Sequence, residues 1–204
     1  MLLHERIHAE MKRLGHVVFT SGEYNLNLVG LRAASDEANL FDDMLCITYR
    51  DEAGAWQVER FPCTTDPGRP WLLKPMREAG CAIVVHGQYR SVWTFGLHKG
   101  KYEALVQCGT FTVWRDHDKD GQLDRTGPTH LTNNSGINLH KAGKDSPLVE
   151  LWSAGCQVLK READFLRVME LARAQKAHGM GDKFTYTLID VGIDAALADL
   201  AKVE

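Results

Sequence analysis

Between residues 17 and 114 the chain falls into eight short β-prone runs, at 17–20, 26–31, 44–49, 56–61, 82–85, 92–97, 104–106 and 110–114. Gly, Pro, Asp and Asn turn formers separate them. Strands this short are stable only when several pair in one sheet, so the middle of the chain is expected to be a β-rich domain. Helical patterns flank it. Leu3, Ile7, Met11 and Leu14 recur at helical spacing among charged residues, predicting an amphipathic packing helix over 2–14 that ends at Gly15. Ala163, Phe165, Leu166, Val168, Met169, Leu171 and Ala172 predict a second helix over 160–177, stopped by Gly179 and Gly181. A last strand is expected at 184–189 and a short helix packing back within 191–203. With 204 residues and 44% hydrophobic content, the pattern gives one mainly β (α+β) domain over residues 1–204, with 1–15 as an N-terminal helical extension.

The 24 basic and 27 acidic residues nearly balance, so no global field steers this chain to nucleic acid or an anionic membrane. No apolar run approaches the roughly 20 residues of a membrane span. Residues 1–19 are interrupted by Glu5, Arg6, His8, Glu10, Lys12, Arg13 and His16, unlike a secretory leader, and synthesis in the cytoplasm is expected. Cys46, Cys63, Cys81, Cys108 and Cys156 are odd in number and form no CxxC pair, so mostly reduced thiols are expected.

One of these thiols stands out. Cys156 follows the small residues Ser153, Ala154 and Gly155, which leave room for a substrate backbone, and His140 lies 16 residues upstream after Ile137, Asn138 and Leu139. A neighbouring imidazole generates the thiolate and later returns the proton to a leaving group. The intervening residues 141–151 carry the turn formers Gly143, Asp145, Ser146 and Pro147, so the loop can fold His140 back beside Cys156. Backbone N–H groups around Ser153 and Gly155, ahead of the second helix, are placed to stabilise an oxyanion. The Lys141 carbonyl, or the Asn138 side chain, would orient His140. Ala154 and His98 are expected to line a substrate groove, with Trp152 either a wall of it or, more in keeping with its type, part of the core. By itself a single cysteine is more often a small buried hydrophobe than a nucleophile.

The segment 136–189 resembles the catalytic core of the L,D-transpeptidase family, the YkuD-type domain. Ile137-Asn138-Leu139-His140 is similar to its histidine strand and Ser153-Ala154-Gly155-Cys156 to its Ser/Thr-His-Gly-Cys motif. The downstream helix with Asp164, the glycine turn and the closing strand also follow the family's order, and Thr64-Thr65-Asp66-Pro67-Gly68 looks like its Thr-Pro-x-Gly turn. Ala154 replaces the motif's second histidine, and Val158 stands where the family usually has a substrate-contacting Arg or Asn. The resemblance implies a YkuD-like β-sandwich or barrel whose region 136–190 carries catalysis. It also implies a peptidoglycan peptide substrate and a Cys156 thioester resolved by water or by a second amine. Further similarity to uncharacterised phage and prophage proteins implies a lysis enzyme acting at the bacterial cell wall after phage-mediated release. Two alternatives stand beside this: a catalytically inactive cell-wall-binding module of the same fold, and a structural phage protein.

Asp116, Asp118, Asp120 and Asp124 occupy positions 1, 3, 5 and 9 of a calcium-type loop, with Gly121 at 6, but Gly127 replaces the bidentate Glu of position 12. A structural Ca²⁺ is therefore the one cofactor considered, against a plain solvated turn. His86 and His98 lack zinc-type spacing and read as strand or turn histidines.

Overall fold

In the computed structural model, which describes residues 1–203, the β-prone runs close on one another. Helix α1 (Leu3–Arg13) leads to β1 (Asn27–Arg32), β2 (Asp43–Arg50), β3 (Trp56–Thr64) and the short α2 (Arg69–Leu73). Then come β4 (Cys81–Val84), β5 (Gly87–His98), β6 (Tyr102–Gln107), β7 (Phe111–Asp116) and β8 (His130–Thr132). The chain ends with β9 (Leu139–Lys141), β10 (Gln157–Leu159), α3 (Glu162–Ala177) and β11 (Lys183–Asp190). The protein is mainly β, as its sequence predicts. Eight strands form a closed barrel in the order β1-β11-β5-β6-β9-β10-β3-β2, while β4, β7 and β8 make a separate three-stranded sheet. Closure removes the unpaired edges that an open sheet would expose.

Alternation along the strands builds two cores from one wall. Leu28 of β1, Leu45 and Ile47 of β2, and Tyr186 and Leu188 of β11 belong to the main cluster, with Trp93, Leu105, Leu139 and Leu159. Their neighbours Val29, Leu31, Met44, Cys46 and Ile189 face outward and are covered by Ile7 and Met11 of α1 and by Leu197 and Leu200 of the tail. The N-terminal helix is thus a lid on the barrel wall, tied to the tail by Arg6 and Asp199 at 2.6 Å. Phe165, Val168 and Met169 of α3, and Ala82, Val84, Phe111 and Val113 of the small sheet, join the main cluster.

Two expectations need correction. Residues 17–20 are not a strand: Val17 pairs with the Gln88 side chain, donating at 3.0 Å and accepting at 2.8 Å, and Phe19 does the same with Asn27 at 2.8 and 2.9 Å. Those side-chain amides satisfy the backbone that a neighbouring strand would otherwise pair. The tail forms turns and a single 3₁₀ turn, Ala195–Leu197, rather than an α-helix. The strand β10 stands between the cysteine turn and α3.

Candidate active site

The parallel pairing of β9 with β10 sets His140 beside Val158 and Leu139 beside Gln157. Side chains alternate along a strand, so Asn138, His140 and Ala142 share a face with Cys156 and Val158, while Leu139 and Leu159 enter the barrel. The fold-back of the intervening loop brings the cysteine and histidine, far apart in sequence, to one cleft, which both line together with Asn138, His98, Trp152 and Ala154.

The cysteine turn is braced internally. Gly155 adopts φ +124°, and a Cβ there would lie 2.2 Å from the Ala82 carbonyl oxygen, so only glycine fits. The Gly155 N–H donates to Ser153 Oγ at 3.1 Å, and the Ser153 hydroxyl donates to the Cys156 carbonyl at 2.8 Å. Ser153 is wholly buried. The Gly155 N–H and the Ser153 hydroxyl are therefore committed to holding the turn. The segment 64–68 supports them from behind: the Gly68 N–H donates to the Ser153 carbonyl at 2.9 Å. Thr65 in turn donates its N–H and hydroxyl to Asp43 Oδ2 at 2.6 and 2.8 Å, and its hydroxyl accepts from the buried Arg32 at 2.9 Å. Burial and then Asp66 push the Asp43 carboxyl above its ordinary range.

His140 is 1% exposed and its tautomer is dictated by its partners. Nδ1 lies 2.7 Å from the Lys141 carbonyl, which can only accept, so Nδ1 carries the proton. Nε2 is left with its lone pair, buried and without a hydrogen-bond partner among the described residues. Of the two orienting groups expected from sequence, the Lys141 carbonyl is the one that acts on His140. Tyr102 Oη supports the same carbonyl at 3.5 Å and approaches Nδ1 at 3.4 Å. The Lys141 side chain pairs with Glu162 and lies over the Tyr102 ring at 5.2 Å, fixing that strand end.

Asn138 instead orients His98. Its Oδ1 accepts the Gln107 N–H at 2.9 Å, so its Nδ2 donates to His98 Nδ1 at 3.0 Å, and the His98 proton resides on Nε2. The two imidazoles stack with centroids 3.9 Å apart. Burial, then His98, depresses His140 to about 3, and burial, then Lys99, depresses His98 to about 4. Both rings are neutral at any ordinary pH.

The thiol rests away from Nε2. Cys156 Sγ donates to the Gly136 carbonyl at 3.3 Å and accepts the Asn138 N–H at 3.5 Å. Burial raises its pKa, against the pull of the Asn138 N–H and of Lys99. The charged residues lining the cleft, Arg77, Lys99 and Arg115, are all basic, and Trp71, Met76, Leu151 and Trp152 form its apolar side. Trp152 is 44% exposed, a wall of the cleft rather than core.

Sequence reasoning missed Tyr102 and Gln107 as positioning residues. A signal for Tyr102 exists: Lys99 and Gly100, both with positive φ, form a tight turn that makes His98 and Tyr102 a cross-strand pair. The acidic loop brings Asp116, Asp118 and Asp124 together but leaves Asp120 hydrogen-bonded to Gln122. Burial, then the neighbouring carboxylates, lift Asp116 to about 6. No family model, curated protein or solved structure matches this chain.

Proposed function

We propose that this protein is a cysteine acyl-transfer enzyme that cleaves peptidoglycan stem peptides, a divergent relative of the L,D-transpeptidase family with a YkuD-like fold. One observation carries the reading: a buried imidazole with Nδ1 clamped to a carbonyl and Nε2 unpartnered, in the cleft that also holds a cysteine. Buried polar atoms are rarely left unsatisfied, and one that opens onto a cleft calls for a role.

The reading requires the Cys156 side chain to rotate away from the Gly136 carbonyl so that its thiol reaches Nε2, which takes its proton. The thiolate attacks the peptide carbonyl, and the tetrahedral oxyanion accepts a hydrogen bond from the His98 Nε2–H. The amine leaves with the proton from His140 Nε2, giving a Cys156 thioester. Water, delivering a proton back to His140, hydrolyses the thioester to a carboxylate; an amine from a second stem would instead complete a transpeptidation. Hydrolysis is the favoured outcome. Arg77, Lys99 and Arg115 suit the free carboxylates of a stem peptide. The setting that agrees with the phage resemblance is lysis, with the enzyme reaching the cell wall after release.

Incubating the protein with purified muropeptides tests this. Cys156→Ala and His140→Ala should each lower product formation by more than about a thousandfold while the fold survives. Retained processing by either variant would refute the dyad. A second reading, a cell-wall-binding module without turnover, draws on the resting thiol, which is bound to Gly136 and not to His140. Under that reading wild-type Cys156 resists iodoacetamide at neutral pH, whereas the enzyme reading requires alkylation that His140→Ala slows.

A further inference from the structure

The acidic loop that leaves β7 takes no part in this chemistry. One carboxylate oxygen from each of Asp116, Asp118 and Asp124 lies within 4.8 Å of the others. Two oxygens on opposite sides of a Ca²⁺, each at about 2.4 Å, stand about 4.8 Å apart, so the three fit around one such ion.

Asp116 supplies the independent sign of a ligand. It is 1% exposed, on the last residue of β7. Its Oδ2 accepts the Asp124 N–H at 3.1 Å, but its Oδ1 is buried without a hydrogen-bond partner among the described residues. A carboxylate oxygen in that state is costly unless a cation completes it. The terminal nitrogens of Arg125, next in sequence to Asp124, pair instead with Asp66 at 2.5 Å and Asp36 at 3.3 Å. The loop already has the turn an ion would need: Gly121 sits at φ +80°, and Asp118 Oδ1 accepts the Asp120 N–H at 3.1 Å.

We propose that residues 116–124 form a Ca²⁺ site whose carboxylate ligands are Asp116, Asp118 and Asp124. Ca²⁺ is favoured over Mg²⁺ because Mg²⁺ demands a tighter octahedron and retains its waters. The site lies directly behind the cleft wall. Asp116 pairs across the small sheet with Cys81, a lining residue, and its neighbour Arg115 lines the cleft from the same strand. On the other side a Cβ at Gly121 would stand 3.0 Å from Leu73 of α2, the helix that carries the lining residue Trp71. A bound ion would therefore fasten the small sheet to α2 under the substrate cleft.

Thermal melting of the whole protein, stripped with EDTA and then titrated with CaCl₂ or MgCl₂, tests the site without any substrate, so its outcome is independent of the enzymatic reading. Calcium at a hundredfold excess over Kd should raise the wild-type Tm by roughly 5 to 10 °C, with a much smaller response to Mg²⁺. Asp118→Asn, an exposed substitution, should abolish most of that rise. Asp116→Asn should melt no lower than the calcium-free wild type, having lost the uncompensated charge, and should show no calcium response. An unchanged wild-type Tm at about 10 mM Ca²⁺, well above the Kd of weak loop sites, would overturn the proposal. So would a calcium response that survives in both variants, or an equal response to Mg²⁺.

Discussion

The depressed histidine at the centre of the cleft makes a quantitative demand on acid stability. His140 falls from 6.5 to about 3 because burial, and then the stacked His98, oppose its charged form. In the unfolded chain the same ring titrates at its ordinary value. The folded state therefore binds fewer protons between the two pKa values, and stability present above pH 6.5 is lost as the pH falls. Integrating that difference for one group gives roughly 2 to 3 kcal/mol lost between pH 7 and pH 4.5, with the loss approaching its limit only near pH 3. Replacing His140 by Gln removes the term and leaves the carboxylates common to both proteins, so their contributions cancel in the difference. Urea denaturation at pH 7.0 and 4.5 should show wild type losing roughly 2 to 3 kcal/mol more than His140→Gln. Equal losses in the two proteins would refute the buried neutral ring and, with it, the assignment of Nε2 as a base. Activity has a matching signature, because a base with so low a pKa keeps its lone pair, and the acid limb of kcat/KM attributable to it should lie below about pH 5.

Two further substitutions probe the frame around the dyad. Gly155→Ala places a Cβ at 2.2 Å from the Ala82 carbonyl at a φ of +124°, and should cost about 3 kcal/mol or more in urea denaturation, whereas a loss under about 1 kcal/mol would show that the turn has room. Tyr102→Phe removes only the long hydrogen bonds at 3.5 and 3.4 Å to the Lys141 carbonyl and His140 Nδ1. It should lower kcat by about fivefold with KM unchanged, as expected for about 1 kcal/mol of positioning; a change confined to KM would place Tyr102 against substrate instead.

How much of this was legible depends on the range of the interaction. The longer strands announce themselves by alternation and by flanking turn formers, and α1 and α3 by their apolar spacing. β8, β9 and β10 have three residues each, too few for a period, and they form because distant partners pair with them. Residues 17–20 mislead in the opposite sense: their composition suits a strand, yet their partners are the side chains of Gln88 and Asn27. Within the site, Cys156, His140 and the Lys141 carbonyl could be named from a local motif. The bracing of Ser153 could not, since its hydroxyl, free in the sequence, is consumed by the Cys156 carbonyl once the turn forms.

The position of Val158 bears on what the cleft would select. On the proposed reading, the family's substrate-contacting Arg or Asn would stand here, directly beside His140 in the β9–β10 register. In this chain Val158 is fully buried, packed with Phe41, Ala142 and Val149 on the outer face of the barrel. A charged side chain could not be accommodated there without breaking that cluster and leaving an unpaired charge beside a neutral imidazole. The cleft's positive charge comes instead from Arg115 on the small sheet, Arg77 before β4 and Lys99 in the β5–β6 turn. Arg115 is held by Ser135 at 2.9 Å and Arg77 by the Asn134 carbonyl at 3.3 Å, so the segment after β8 fixes both guanidinium groups. On the proposed reading, recognition of an anionic substrate would thus be separated from the strands that hold Cys156 and His140. The binding elements can vary while the geometry of Cys156 and His140 stays fixed by the barrel.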